Sequence, residues 1–141
     1  MKAFKKIAVI GKYPSKEEST DINSQLLQLV EHLSKKPVEL FVEEKTQQQL
    51  NAQTIQAIAL KDIGACVDLA IIIGGDGTMI GVARNLVDSN TPLVGVNQGR
   101  FGFLADLNTS SMLTNIDSIL NGEYIEDKRM LINTKIIRDD H

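Results

Sequence analysis

Residues 67–73, VDLAIII, are apolar without interruption after Asp68 and rich in β-branched side chains, and GGDGT follows directly at residues 74–78. A run with no polar alternation is typical of a strand that is covered on both faces, as strands in parallel sheets are. Two similar runs, KIAVIGK at residues 6–12 and LVGVN at residues 93–97, also lead into glycine-containing turns. These three runs restrict the chain to folds with a buried sheet.

Segments with helical periodicity separate the apolar runs. Apolar residues recur at helical spacing from Thr20 onward, in residues 79–87 and in residues 111–122. Further strands are predicted at residues 38–43 and 129–140, residues 46–60 are expected to be irregular or partly helical, and residues 98–108 are expected to form a loop. The alternation predicts an α/β fold: a Rossmann-like, open and mainly parallel sheet with helices on both faces.

Length and composition exclude several classes of protein. A chain of 141 residues with a net charge of −3 suggests one domain, and it does not suggest a nucleic-acid or membrane-surface binder. The single cysteine, Cys66, excludes a disulfide framework within the chain, and we expect it to be a small core residue. No apolar run approaches the roughly 20 residues of a membrane span, and no signal peptide is evident, so the cytoplasm is the expected location.

The glycine-rich turn at residues 74–78 lies between a predicted strand and a predicted helix. In open α/β sheets, ligands bind at the carboxyl ends of the strands. Glycines there permit positive φ angles and allow a ligand to approach the main chain, and a helix N-terminus suits phosphate. A tight turn with Asp76 as a helix cap is the structural alternative. Three glycines around one aspartate favour a phosphate-binding loop.

Asp76 needs its own explanation, because a carboxylate repels phosphates. The turn is neither GxxxxGK[ST] nor GxGxxG, and no lysine follows it. Asp76 could bind Mg²⁺ that bridges it to the phosphates, or it could accept the proton of an attacking hydroxyl group. Both possibilities stay open at this point.

A second glycine-rich segment, NQGRFGFLAD at residues 97–106, follows another predicted strand. Its pattern is N-x-G-x-x-G, in which Asn97, Gly99 and Gly102 shape the turn. Phe103 could stack on a nucleotide base or be a core residue, and Arg100 could pair with a phosphate or form a surface ion pair. After the first strand, Lys12 in the turn GKYP at residues 11–14 could reach a phosphate or be solvated.

GGDGT followed by VGVNQGRFGFLADL resembles the NAD kinases, and the resemblance extends through ILNGEYIEDKRMLI at residues 119–132. It implies ATP-dependent phosphorylation of the 2′-hydroxyl of the NAD adenosine ribose, with ATP and NAD as substrates and Mg²⁺ or another divalent cation present. It also assigns roles to individual residues. Asp76 would be the base or a partner of the metal, and no residue is assigned as a dedicated metal ligand. The loop and pocket residues would be Gly75, Gly77, Thr78, Asn97, Gly99, Gly102, Phe103 and Leu104.

The resemblance also implies a larger enzyme than this chain. NAD kinases have a second, β-rich domain, so residues 1–128 would be the nucleotide-binding domain and residues 129–141 the start of the crossover into the missing part. The chain would then be the amino-terminal half of a two-domain kinase and inactive, or nearly so, by itself. A homo-oligomer is expected for the full-length enzyme.

Two other functions are compatible with parts of the pattern. GGDGT also occurs in diacylglycerol and sphingosine kinases, but the N-x-G-x-x-G-F-L element and the lack of an apolar surface signal disfavour a lipid kinase. A non-catalytic nucleotide-binding module is disfavoured by Asp76, since binding alone does not require a carboxylate.

Overall fold

The computed structural model describes residues 4–11, 19–97, 107–108 and 111–124. The strands are β1 (Lys6–Gly11), β2 (Glu39–Glu43), β3 (Gln56–Ile58), β4 (Leu69–Gly74), β5 (Leu93–Asn97) and β6 (Leu107–Asn108). The helices are α1 (Ser19–Ser34), α2 (Glu44–Leu50), α3 (Ile63–Cys66), α4 (Asp76–Leu86) and α5 (Met112–Leu120), with a 3₁₀ turn at Leu60–Asp62 before α3.

The six strands form one sheet in the order β3-β2-β1-β4-β5-β6, and every described pairing is parallel. The predicted α/β class and parallel sheet are therefore confirmed. β4 lies in the interior of the sheet and all six of its residues are buried, as its unbroken apolar sequence predicted.

Two hydrophobic clusters cover the two faces of the sheet. In β4, Leu69, Ile71 and Ile73 pack into the cluster that contains the buried residues of α1 and α5. Ala70 and Ile72 alternate with them and pack into the cluster that contains residues of α3 and α4. Because successive strand residues point to opposite faces, one apolar run supplies both clusters, and the helices lie on both sides as predicted.

Helices α1 and α5 share one face of the sheet, and a polar contact connects them. His32 Nε2 lies 2.7 Å from Asp117 Oδ1, and Lys36 Nζ lies 3.2 Å from the same oxygen. The hydrogen bond to His32 is the main cause that lowers the pKa of the Asp117 carboxyl below its ordinary value, with Lys36 acting in the same direction. This polar contact links α1 to α5, two helices that are distant in sequence.

Three local predictions need correction. Residues 46–60 contain a strand, β3, in addition to the helical residues of α2, and β6 lies within the predicted loop at residues 98–108. Cys66 is exposed, so its prediction as a core residue was wrong: the neighbouring Val67 occupies the buried position instead. The predicted strand at residues 129–140 lies outside the described residues.

No helix in the described parts of the chain is both long enough and apolar enough to cross a membrane.

Candidate functional site

The order of the strands reverses between β1 and β4. The chain continues from β1 to β2 on one side and from β4 to β5 on the other. The helix after β1 therefore packs on one face of the sheet and the helix after β4 on the opposite face. In open parallel sheets such a reversal creates a crevice at the carboxyl ends of the two strands, and ligands bind there.

The three strands that precede the predicted glycine-containing turns, β1, β4 and β5, lie side by side with their carboxyl ends at this edge. Gly11, the last residue of β1, pairs in register with Ile73, and Gly74, the last residue of β4, pairs with Asn97, the last residue of β5. Adjacent strands are about 4.8 Å apart, so the main chain at Gly11 and at Asn97 is separated by about 10 Å. The structure thus places Gly75, Asp76, Gly77, Thr78 and Asn97 at one edge.

Helix α4 begins inside the GGDGT sequence. Gly75 is the N-cap residue, Asp76 is the first helical residue, and Met79 N donates to Gly75 O at 3.1 Å as the first helical hydrogen bond. Asp76 is therefore not the capping residue that the structural alternative required. Since glycine has no side chain, the N-cap residue does not occupy the first-turn N–H groups of α4, and the positive end of the helix dipole lies at this edge of the sheet.

The glycines of this turn are not required by the conformation of the main chain. Gly75 has φ −108° and ψ −170°, and Gly122 is the glycine with a positive φ among the described residues. The expected use of positive φ angles was therefore wrong for this turn. Among the described residues, apart from the chain neighbours and the backbone of the helix itself, no heavy atom lies within 4 Å of a Cβ built on Gly75 or Gly77. The space beside both glycines is open, which is what the approach of a ligand to the main chain requires.

Several of the predicted site residues lie outside the described part of the chain. These are Lys12, Gly99, Arg100, Gly102, Phe103 and Leu104. Their assignment stays a prediction. Among the residues that are described, no group of three or more His, Cys, Asp or Glu side chains could hold a metal ion.

The sequence reasoning missed two polar residues beside this edge, Glu43 and Thr46. Both are buried, at 2% and 0% exposure, and Thr46 Oγ1 accepts a hydrogen bond from Gly11 N at 3.1 Å. The sequence does contain a signal for them: an acidic residue ends a predicted strand and a threonine follows three positions later. This is the spacing at which a side chain caps the N-terminus of a helix.

Comparison with known proteins gives matches over nearly the whole chain. The model of the ATP-NAD kinase N-terminal domain matches residues 7–124. The chain is 40% identical over 135 residues to an NAD kinase of Nitrosomonas eutropha, an alignment that covers 96% of this chain and 44% of the relative. It is 37% identical over 136 residues to an NAD kinase of Laribacter hongkongensis, covering 96% of this chain and 45% of that protein.

The chain spans about half the length of the curated relatives that it matches. Among solved structures, the crystal structure of yeast NADH kinase complexed with NADH is similar, with a TM-score of 0.72 and 14% identity. The similarity covers 86% of this chain and 39% of that one. At this level of identity the likeness shows a shared fold. Because the family model accounts for most of the sequence, the chain belongs to the ATP-NAD kinase family, in which it corresponds to the N-terminal domain.

Proposed function

We propose that the full-length protein transfers the γ-phosphoryl group of ATP to the 2′-hydroxyl of the NAD adenosine ribose and so makes NADP. The observation that carries this proposal is the position of GGDGT. It joins the carboxyl end of the central strand β4 to the N-terminus of α4, at the point where the strand order reverses, in a chain of this family.

The turn is suited to phosphate in two ways. The first-turn N–H groups of α4 and its dipole favour a negatively charged group. The open space beside Gly75 and Gly77 allows phosphate oxygens to reach the main chain. Thr78, which is half-buried in the first turn of α4, adds a hydroxyl group near the same place.

In the proposed reaction the ribose 2′-oxygen forms a bond to the γ-phosphorus, the bond between that phosphorus and the ADP oxygen breaks, and the proton of the hydroxyl group is released. Asp76 either accepts this proton or helps to hold a divalent cation, such as Mg²⁺, that neutralises the phosphates. A base of this kind contributes about 10²–10⁴-fold to the rate. The position of Asp76 at the start of α4 agrees with either role.

The remaining parts of the proposal concern the whole enzyme. Phe103 and Leu104 are proposed to line the NAD pocket, and Arg100 and Lys12 to contact phosphate. Asn97, Gly99 and Gly102 are proposed to form the turn of that pocket. The second half of the protein would complete the site. We therefore expect residues 1–141 alone to be inactive or nearly so, and the full-length enzyme to be a cytoplasmic homo-oligomer.

The test compares the wild type, Asp76→Asn and Asp88→Asn in the full-length protein. Asp88 is an exposed aspartate just beyond the other end of α4, so its substitution removes the same charge away from the site. NADP formation from NAD, ATP and Mg²⁺ should fall about 10²–10⁴-fold in Asp76→Asn and stay unchanged in Asp88→Asn. Circular dichroism should show that both variants are folded.

Nucleotide titration separates catalysis from binding. If Asp76 is the base, Asp76→Asn should keep its affinity for nucleotide, or gain some through the loss of a negative charge, while it loses turnover. A full-length wild type that binds nucleotide but forms no NADP would contradict the kinase proposal and favour a nucleotide-binding module.

A further inference from the structure

Glu43 and Thr46 form a buried polar pair at the carboxyl end of β2. Among the residues that the structure describes, they are the two polar or charged residues in the buried class, at 2% and 0% exposure. Glu43 is the last residue of β2 and Thr46 lies in the first turn of α2. Because a buried carboxylate is unfavourable unless it is hydrogen-bonded, its partners indicate what it does.

Glu43 caps helix α2. Its Oε2 accepts from Lys45 N at 2.7 Å, and its Oε1 accepts from Thr46 N at 3.3 Å and from Thr46 Oγ1 at 3.1 Å. A carboxylate can only accept hydrogen bonds, so the Thr46 hydroxyl must donate its proton to Glu43. This fixes the orientation of the hydroxyl group and leaves its oxygen as an acceptor.

The Thr46 oxygen accepts from the main chain of β1. Gly11 N donates to Thr46 Oγ1 at 3.1 Å, across 35 residues of sequence. β1 pairs with β2 from Lys6 to Val9, but β2 ends at Glu43 and the chain turns into α2. The Thr46 hydroxyl therefore provides the acceptor that a continuing β2 strand would have offered to the buried Gly11 N–H.

Gly11 is held from a second direction by helix α1. A Cβ at this position would lie 2.9 Å from Leu26 Cδ2 and 3.2 Å from Leu26 Cγ, and Leu26 is fully buried. The main chain at Gly11 is thus confined between the hydrogen bond that it donates to Thr46 of α2 and the buried side chain of Leu26 of α1. Its strand partner Ile73 directly precedes Gly74 of the GGDGT turn.

We propose that Glu43 and Thr46 are positioning residues for the nucleotide site. They hold the end of β1, from which the connection to α1 departs, in a fixed place beside the GGDGT turn. The inference rests on the proposed function, because the nucleotide is expected at this edge. Glu43 orients the Thr46 hydroxyl, and Thr46 holds Gly11. Neither residue is proposed to touch the substrate.

The experiment uses the full-length protein and the variants Thr46→Val, Thr46→Ser and Asp68→Ala. Valine keeps the shape of threonine but leaves the Gly11 N–H without its acceptor, whereas serine keeps the hydroxyl group. Asp68 is the matched control: its Oδ2 accepts from Lys5 N and Lys6 N at 3.0 Å each, so it anchors the opposite end of the same strand. Steady-state kinetics are measured well below the unfolding temperature, and hydrogen exchange at the Gly11 amide is followed by NMR.

We expect Thr46→Val to lower kcat/KM for NADP formation by about tenfold or more, since small displacements in a site have effects of this size. Exchange at the Gly11 amide should accelerate by about tenfold or more, and by a larger factor than at amides in the middle of β1. Thr46→Ser should restore both quantities. Asp68→Ala should lower the unfolding temperature but leave kcat/KM and Gly11 exchange near the wild-type values.

Three results would overturn the inference: unchanged Gly11 exchange in Thr46→Val, unchanged kcat/KM in that variant, or an equal loss of kcat/KM in Asp68→Ala. The last would show that destabilising β1 anywhere has the same effect. A wild type that forms no NADP would instead contradict the proposed function. Gly11 exchange in Thr46→Val and Thr46→Ser would then still decide whether the pair holds the end of β1.

Discussion

Gly77 and Gly81 lie one turn apart on the exposed side of α4. In the part of the chain that the structure describes, apart from the chain neighbours and the backbone of this helix, no heavy atom lies within 4 Å of a Cβ built on either residue. Alanine in place of glycine within a helix contributes up to about 1 kcal/mol of stability. Gly77→Ala and Gly81→Ala should therefore each raise the unfolding temperature by about 2–5 °C. Judged from protein contacts alone, the two substitutions are equivalent.

They differ in their distance from the proposed phosphate site. Gly77 belongs to the first turn of α4, whereas Gly81 lies about 6 Å further along the helix axis. If phosphate approaches the main chain at the GGDGT turn, the methyl group of Gly77→Ala occupies that space and displaces the phosphate by about 1 Å or more. We expect kcat/KM for NADP formation to fall about 10–100-fold in Gly77→Ala and to remain unchanged in Gly81→Ala.

The assay is thermal unfolding followed by circular dichroism, together with steady-state NADP formation by the full-length protein. A more stable but less active Gly77→Ala beside a more stable and fully active Gly81→Ala would support the proposed site. If Gly77→Ala keeps full activity, phosphate does not approach the main chain at residue 77 and the reasoning from the open space is refuted. A loss of stability in Gly81→Ala would show that the added methyl group is not accommodated as the structure indicates.

Two further predictions concern stability. Gly11→Ala should lower the free energy of unfolding by about 1–3 kcal/mol through overpacking against Leu26. In urea unfolding, the double variant with Leu26→Ala should lose less stability than the sum of the losses in the two single variants. Strictly additive losses would contradict the contact between the two residues. Asp117→Asn should destabilise the protein slightly at pH 7 and less at pH 3. The pKa of Asp117 is lower in the folded protein than its ordinary value of 3.8, so the ionised carboxylate contributes stability at pH values above 3.8. This contribution is lost as the pH falls through the lower pKa of the folded state. A pH-independent effect in urea unfolding would exclude this linkage.

The class of fold could be predicted because burial on two faces leaves a direct mark in sequence. A strand between two layers of helices must be apolar at every position, and β4 is buried throughout. Helix α1 shows the corresponding one-sided pattern, and its predicted stripe, Ile22, Leu26, Leu29, Val30 and Leu33, is buried in the structure. Both signals are local, so no knowledge of neighbouring strands is needed.

Predictions failed where a residue's environment depends on partners distant in sequence. β3 has three residues, and only Ile58 is buried, so its strand conformation depends on pairing with β2 rather than on a pattern of its own. Two apolar residues of the predicted helix at residues 79–87 are exposed, Ile80 at 39% and Val87, just beyond the end of α4, at 51%, because the sheet covers a narrower side of the helix than its apolar residues occupy. The prediction that Cys66 is a core residue failed for the same kind of reason.

The sequence by itself determined the parallel α/β class and the presence of a glycine-rich turn with one aspartate after a buried strand, since hydrophobic periodicity and glycine content are properties of contiguous residues. Only the tertiary structure decided that β1 lies between β2 and β4, that the ends of β1, β4 and β5 meet at one edge, and that Thr46 holds Gly11 across 35 residues. Strand order and hydrogen bonds of this kind arise from the packing of the whole chain, and no local pattern encodes them.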